Sequence, residues 1–153
     1  MAAAVTTPLT NTQFGLAASV SFNPANPAAT ASTTFVMMGL GSTATYTPIK
    51  TGRVEVTVSY ILANGTINDG VTALAAFGTG VAPVNGAAFS GTTFGPTVTT
   101  TSLVAAQQVG YCFTFTVTMT VGVANWVDLQ LKAVTGGSAS AVACVFQFAE
   151  VFV

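Results

Sequence analysis

Polar and apolar residues alternate with a period of two over most of this chain, as in strands with one buried face. The clearest run is Tyr111 to Val121. It puts Tyr111, Phe113, Phe115, Val117, Met119 and Val121 on one face, and Cys112, Thr114, Thr116, Thr118 and Thr120 on the other. Arg53 to Leu62 alternates in the same way, with Val54, Val56, Val58 and Tyr60 opposite Arg53, Glu55, Thr57 and Ser59. In Trp126 to Val134 the pattern places Val127, Leu129, Leu131 and Ala133 inward and Trp126, Asp128, Gln130 and Lys132 outward. Further strands are expected at Thr34 to Leu40, Val71 to Phe77, Thr97 to Val104 and Ala141 to Val153, with a short extended piece at Ala44 to Pro48. Asn64-Gly65, Asn68-Asp69-Gly70 and Gly136-Gly137 are turn signals, and Gly78 to Gly95 reads as a glycine-rich loop. No segment has a convincing helical period.

About eight strands with regular turns predict an all-β, antiparallel sandwich of jelly-roll type, a closure that deals with the edges of so many apolar strands. Residues 1–32 read differently. Pro8, Pro24 and Pro27 keep them extended, and Phe14, Leu16, Val20 and Phe22 give them apolar docking points. The expected organisation is an extended N-terminal arm over 1–32 and a sandwich domain over 33–153. At 153 residues there is room for one core.

Composition narrows the function. Charged residues are 5% of the chain and histidine is absent. Without imidazole there is no Ser-His-Asp or Cys-His catalysis and no histidine metal site. Four scattered acids (Glu55, Asp69, Asp128, Glu150) make a poor calcium or two-metal site. Three bases (Lys50, Arg53, Lys132) are too few for a nucleic-acid surface. The expectation is a protein that is not an enzyme, takes no cofactor and has no small-molecule substrate. The loop Gly78 to Gly86 lacks the Gly-Lys-Ser/Thr ending of a phosphate loop.

Mean hydropathy is +0.70, and residues 70–127 carry no charge. Even so, no run approaches the roughly 20 apolar residues of a membrane helix. The opening Met1 to Leu9 has neither the basic nor the apolar part of a signal peptide, and one Trp and three Tyr are thin material for the two girdles of a membrane barrel. No membrane association is expected. The seven charges give about one per 1,000 Å² on a monomer of this mass, far below a well-solvated surface. Part of the surface is expected to be covered, in an obligate oligomer or on a larger assembly.

Several stretches resemble a recurrent module of tailed-bacteriophage virion proteins. They are Met37-Met38-Gly39-Leu40-Gly41, Thr47-Pro48-Ile49-Lys50-Thr51-Gly52-Arg53-Val54, Phe77-Gly78-Thr79-Gly80-Val81-Ala82-Pro83-Val84-Asn85-Gly86-Ala87-Ala88 and Gly91-Thr92, then Trp126-Val127-Asp128-Leu129 and Ala133-Val134-Thr135-Gly136-Gly137-Ser138-Ala139. The resemblance implies a homotrimeric, tumour-necrosis-factor-like jelly roll that serves as a capsid decoration (cement) protein or a fibre knob. The partner it implies is the major capsid protein of the same virion, and the location is the capsid surface, after assembly in the host bacterial cytoplasm. Relatives often carry the module behind a long shaft. Here only 32 residues precede it, which favours a compact capsid-binding subunit over the alternative, a receptor-binding knob.

The residues expected at subunit or capsid contacts are Arg53, Glu55, Trp126, Asp128, Lys132, Phe14 and Phe22. For the charged pairs Arg53/Glu55 and Asp128/Lys132 two readings stand side by side: exposed cross-strand ion pairs, or charges that meet between subunits and fix register. Trp126 is read as an interface or core-edge anchor, against a sugar-stacking platform. Cys112 and Cys144 lie on different strands; two reduced thiols are favoured, with a disulfide left open.

Overall fold

The computed structural model describes residues 20–21 and 25–152. Among these the chain forms nine strands and a single 3-10 turn at Leu40–Ser42. The strands are β1 (Val20–Ser21), β2 (Val36–Met37), β3 (Thr45–Tyr46), β4 (Arg53–Asn64), β5 (Gly70–Thr79), β6 (Thr92–Thr101), β7 (Val109–Thr118), β8 (Asn125–Ala133) and β9 (Ala139–Glu150). They build two antiparallel sheets, ordered β1-β9-β4-β7 and β2-β8-β5-β6, with β3 also paired to β8. The pairs are nested: β1 with β9, β2 and β3 with β8, β4 with β7, β5 with β6. The β4–β9 and β5–β8 ladders then close the two sheets.

The sheets enclose the core that the alternation calls for. Val54, Val56, Val58, Tyr60 and Leu62 of β4 meet Val71, Ala73 and Ala75 of β5 and Val127, Leu129 and Leu131 of β8. From β9 come Ala139 and Ala141, then Cys144, Phe146 and Phe148, so the buried parity changes along this strand. A bulge makes the change. Ser59 pairs with Val145 but Ile61 pairs with Val142, so β9 carries one extra residue there. Ala143 takes a positive φ of 51° at this point, and Asn26 Oδ1 accepts its amide at 2.7 Å. Without the extra residue, everything beyond it would face the wrong side.

The described part of the N-terminal arm lies along β9. Val20 pairs with Phe148, and single bridges join Ala25 to Cys144 and Thr30 to Ala139. Phe14 and Phe22, expected at contacts, lie outside the described residues.

Some boundaries differ from the sequence pattern. The strand expected over Thr34 to Leu40 shrinks to Val36–Met37, because Gly39 turns left-handed (φ 74°) and leads into the 3-10 turn. The expected loop Gly78 to Gly95 is shorter at both ends, since β5 continues to Thr79 and β6 begins at Thr92. The run expected to reach Val121 stops at Thr118, where the Met119 amide instead bonds Gly52 O at 2.8 Å.

Candidate functional site

The largest correction concerns β8. Trp126, Asp128 and Gln130 were expected to point outward, and all three are buried. The loop 80–91 lies over this side of the sheet, while the segment from Val36 to Tyr46 pairs along the edge of β8 and sends Met38, Leu40 and Ala44 into the main core, so β8 is covered on both faces. Met37, Ala76 and Trp126 form a second small core there, with Ala82 and Ala87 against it. Trp126 and Asp128 therefore act within the subunit rather than as surface contacts.

Asp128 is a loop staple. Its Oδ2 accepts the Gly39 amide at 2.9 Å, and Oδ1 accepts the amides of Leu40 at 3.0 Å and Leu129 at 2.7 Å. Burial outweighs these bonds and pushes the carboxyl up to about 6. Glu150 does the same for the turn before β4. Its carboxylate accepts the amides of Ile49 (2.8 Å), Lys50 (2.9 Å), Thr51 (2.6 Å) and Gly52 (3.0 Å). Burial opposes the charge here too, but the amides outweigh it and hold the group at about 2. Asp69 ties together the loops at the other end. It accepts from the amides of Gly70 (2.7 Å) and Thr135 (2.8 Å), the Thr135 hydroxyl (2.9 Å) and Asn64 Nδ2 (3.1 Å). Burial again works against the charge, and the bonds together pull the carboxyl below its ordinary value.

Three of the four acids thus satisfy backbone donors inside the fold. The charged groups left outside are Lys50, Arg53 and Glu55, which are exposed, and Lys132, which is half-buried. Arg53 and Glu55 stand on the outer face of β4. Glu55 is opposite Thr116 on β7 and Ala149 on β9, and Arg53 is opposite Thr118. Lys132 sits over the Phe35 ring, 5.1 Å from its centroid, while the Asp128 carboxylate is taken up by amides. Asp128 is buried, so it is not part of the exposed cross-strand ion pairs that the sequence suggests.

Trp126 is clasped by glycines. A Cβ on Gly78 would lie 2.5 Å from Trp126 Cζ2, one on Gly91 2.5 Å from Cη2, and one on Gly41 3.2 Å from the Trp126 Cβ. The indole Nε1 donates to Thr79 O at 3.3 Å. The glycines of the 78–91 region make room for an indole, which leaves no open ring face for stacking a sugar. Nothing in the sequence pattern distinguished this from a surface tryptophan, although three glycines near one large side chain in the fold are the physical signature of a clasp.

The loop 80–91 is held in place. The Met37 amide donates to Ala87 O at 2.9 Å, the Gly86 amide donates to Met37 O at 2.8 Å, and Asn85 Nδ2 donates to Met38 O and Ala28 O at 3.1 Å each. It presents Val81 (96% exposed), Val84 (72%) and Phe89 to solvent. At the opposite end Ile67, Leu103, Val104 and Val134 are exposed on loops linked through Asn64 and Asp69. The outer face of β7 is a row of exposed Cys112, Thr114, Thr116 and Thr118.

Between the outermost strands of the two sheets, β6 and β7, the sandwich is open. A shallow groove is lined there by Val58, Tyr60, Phe94, Pro96, Phe113 and Phe115. Phe113 lies between Tyr111 and Phe115, with centroids 6.1 and 6.3 Å away, in a half-buried aromatic row along β7.

Cys112 and Cys144 are both free, Cys112 exposed and Cys144 buried in the core. Burial and the nearby Asp128 carboxylate raise the Cys144 thiol to about 12. Among the described residues no three His, Cys, Asp or Glu side chains come together as a metal site, and no helix is long and apolar enough to cross a membrane.

These features define an all-β, two-sheet antiparallel sandwich with hydrogen-bonded loops and very little outward charge. No family model and no curated protein matches the chain. Among solved structures it is similar to dimeric latent PorU from Porphyromonas gingivalis, with a TM-score of 0.47 and 9% identity over 88% of this chain. The chain spans only 13% of that protein's length.

Proposed function

We propose that this chain is a structural subunit of a bacteriophage virion: a jelly-roll capsid decoration protein, homotrimeric, that binds the outer surface of the major capsid protein and stabilises the shell. The strand order β1-β9-β4-β7 over β2-β8-β5-β6, with its nested pairs, supports the jelly-roll reading. The observation that carries the assembly reading is the bareness of the exterior. Four outward charges on an accessible surface of 7822 Å² amount to one per about 2,000 Å², whereas about a quarter to a third of surface residues are charged on a well-solvated domain.

The mechanism is passive. Several copies of one charge-poor, threonine-rich face rest on neighbouring coat subunits, and multivalency turns modest contacts into firm attachment. Arg53 and Glu55, isolated on that face, are placed to set register against a neighbour. No chemistry on a small molecule, cofactor or nucleic acid is part of this reading, and the location is the virion surface.

A receptor-binding knob is the second reading, favoured by the exposed apolar crest Val81, Val84 and Phe89 at one end. The two part in a binding experiment. The decoration protein attaches to shells stripped of it and raises their thermal resistance; the knob binds host cells and leaves shells alone.

A further inference from the structure

The free edge of β7 is unlike the other edges of this sandwich. Its ten residues pair with β4 in unbroken register, and nothing pairs with its other side among the described residues. The strand has no proline and no charge. Natural edges are usually blunted by proline, by bulges, by charge or by shortness. The facing edge, β6, is blunted: Gly95 (φ 76°) and Pro96 interrupt it, and its register against β5 shifts between Ala73 and Ala75. At the remaining borders β1, β2 and β3 are two residues long.

We infer that the β7 edge, with the aromatic groove beside it, is a self-association surface, and that its occupant is β7 of a second copy of this chain. Among the described residues only β7 carries a matching bare edge, so the contact is isologous and two-fold. Antiparallel addition of the two strands makes one eight-stranded sheet from β1-β9-β4-β7 and its mate, and satisfies the outward amides and carbonyls of both. Charge suits a like partner. Residues 70–127 contain none, and the net charge of −1 gives two copies little mutual repulsion. The half-buried Phe113 and Phe115, with Pro96 across the groove, come under the second copy. A strand of this length is about 34 Å long, and with two sheets about 10 Å apart the footprint is of order 340 Å², the size of a weak contact beside the ~800 Å² per partner of a standard interface.

This contact does not rest on the shell reading. A two-fold oligomer that ignores capsids keeps the β7 contact and removes that reading; a shell-binding strict trimer does the opposite.

The test is sedimentation of the full chain over a wide concentration range, beside a Thr114→Lys/Thr116→Lys variant and a Thr97→Lys control on β6. Lysines on β7 place like charges against each other only if two β7 strands meet. The wild type is expected to form even-numbered species: dimers, or hexamers that the variant splits into trimers. The β7 variant should raise the dissociation constant at least tenfold, and the control should leave it unchanged. A wild type that stays monomeric, a strict trimer, or a folded β7 variant that associates like the wild type would overturn the inference. Should the variant not fold, hydrogen exchange on the wild type decides. Alternate β7 amides gain protection as concentration rises if the strands pair, and concentration-independent exchange rejects the pairing.

Discussion

The amide of Gly39 donates to Oδ2 of Asp128 at 2.9 Å, across 89 positions of sequence. That bond fixes the left-handed turn at Gly39 onto the middle of β8, and with the Leu40 amide it seats the 3-10 turn over the sheet. Asp128→Asn keeps the shape but replaces one acceptor oxygen by a donor that faces an N–H. The variant should be less stable by about 1–3 kcal/mol in chemical denaturation. The near-UV signal of Trp126, next to the same segment, should broaden or weaken. An unchanged midpoint would mean that the staple contributes nothing.

The carboxylates give the stability curve two opposed limbs. Glu150 is held at about 2 against an ordinary 4.5, so its contribution is complete above pH 4.5 and is lost as pH falls toward 2. Asp69, also lowered, adds to the loss on the acid side. Asp128 has the opposite sign. Raised from 3.8 to about 6, it favours the fold fully below pH 3.8, and that contribution is lost as pH rises through 6. Denaturation midpoints followed from pH 7 to 2 should show Glu150→Gln flattening the acid limb below 4.5. Asp128→Asn should remove the change between about 3.8 and 6.

Two glycines with nearly equal backbone angles should respond differently to alanine. Gly91 (φ 87°) has Trp126 Cη2 and Phe77 O at 2.5 Å from a Cβ, whereas Gly80 (φ 81°) has nothing within 4 Å. Gly80→Ala should cost about 1–2 kcal/mol, the left-handed penalty alone. Gly91→Ala must also displace the indole or a strand carbonyl and should cost clearly more, in the range of about 2–4 kcal/mol. Equal losses in parallel melts would mean that Trp126 is not clasped as described.

The thiols should separate by burial. Iodoacetamide without reductant should place one adduct on the folded protein, at Cys112, and two on the denatured protein. Intact mass reads both. No adduct after denaturation would indicate a disulfide and contradict their positions on opposite sides of the sheet.

The strands were legible because their alternation is a direct record of which face is buried. The inward set Val54, Val56, Val58 and Tyr60 and the outward row Cys112, Thr114, Thr116 and Thr118 follow from period two alone. Where strands are covered on both faces, alternation carries no such record. That is why Trp126, Asp128 and Gln130 read as a solvent face: polar residues on a strand look alike whether they meet water or the backbone of a distant loop. The roles of Asp128 and Glu150 depend on amides about 90 to 100 positions away, which no local pattern encodes. One hint was available. In a chain with four acids, a carboxylate flanked by apolar neighbours, as Asp128 is by Val127 and Leu129, needs buried partners, and backbone amides are the commonest on offer. The parity change in β9 was hidden because Ala143 supplies the bulge where a glycine would have signalled it.

The proposed covering of the bare exterior on a virion can be checked by mixing the purified protein with capsids stripped of it and imaging the shells by cryo-electron microscopy. Ordered density is expected on the outer surface at three-fold or quasi-three-fold positions, with shells that withstand higher temperature. Shells that stay undecorated at saturating protein, with unchanged heat resistance, would contradict it.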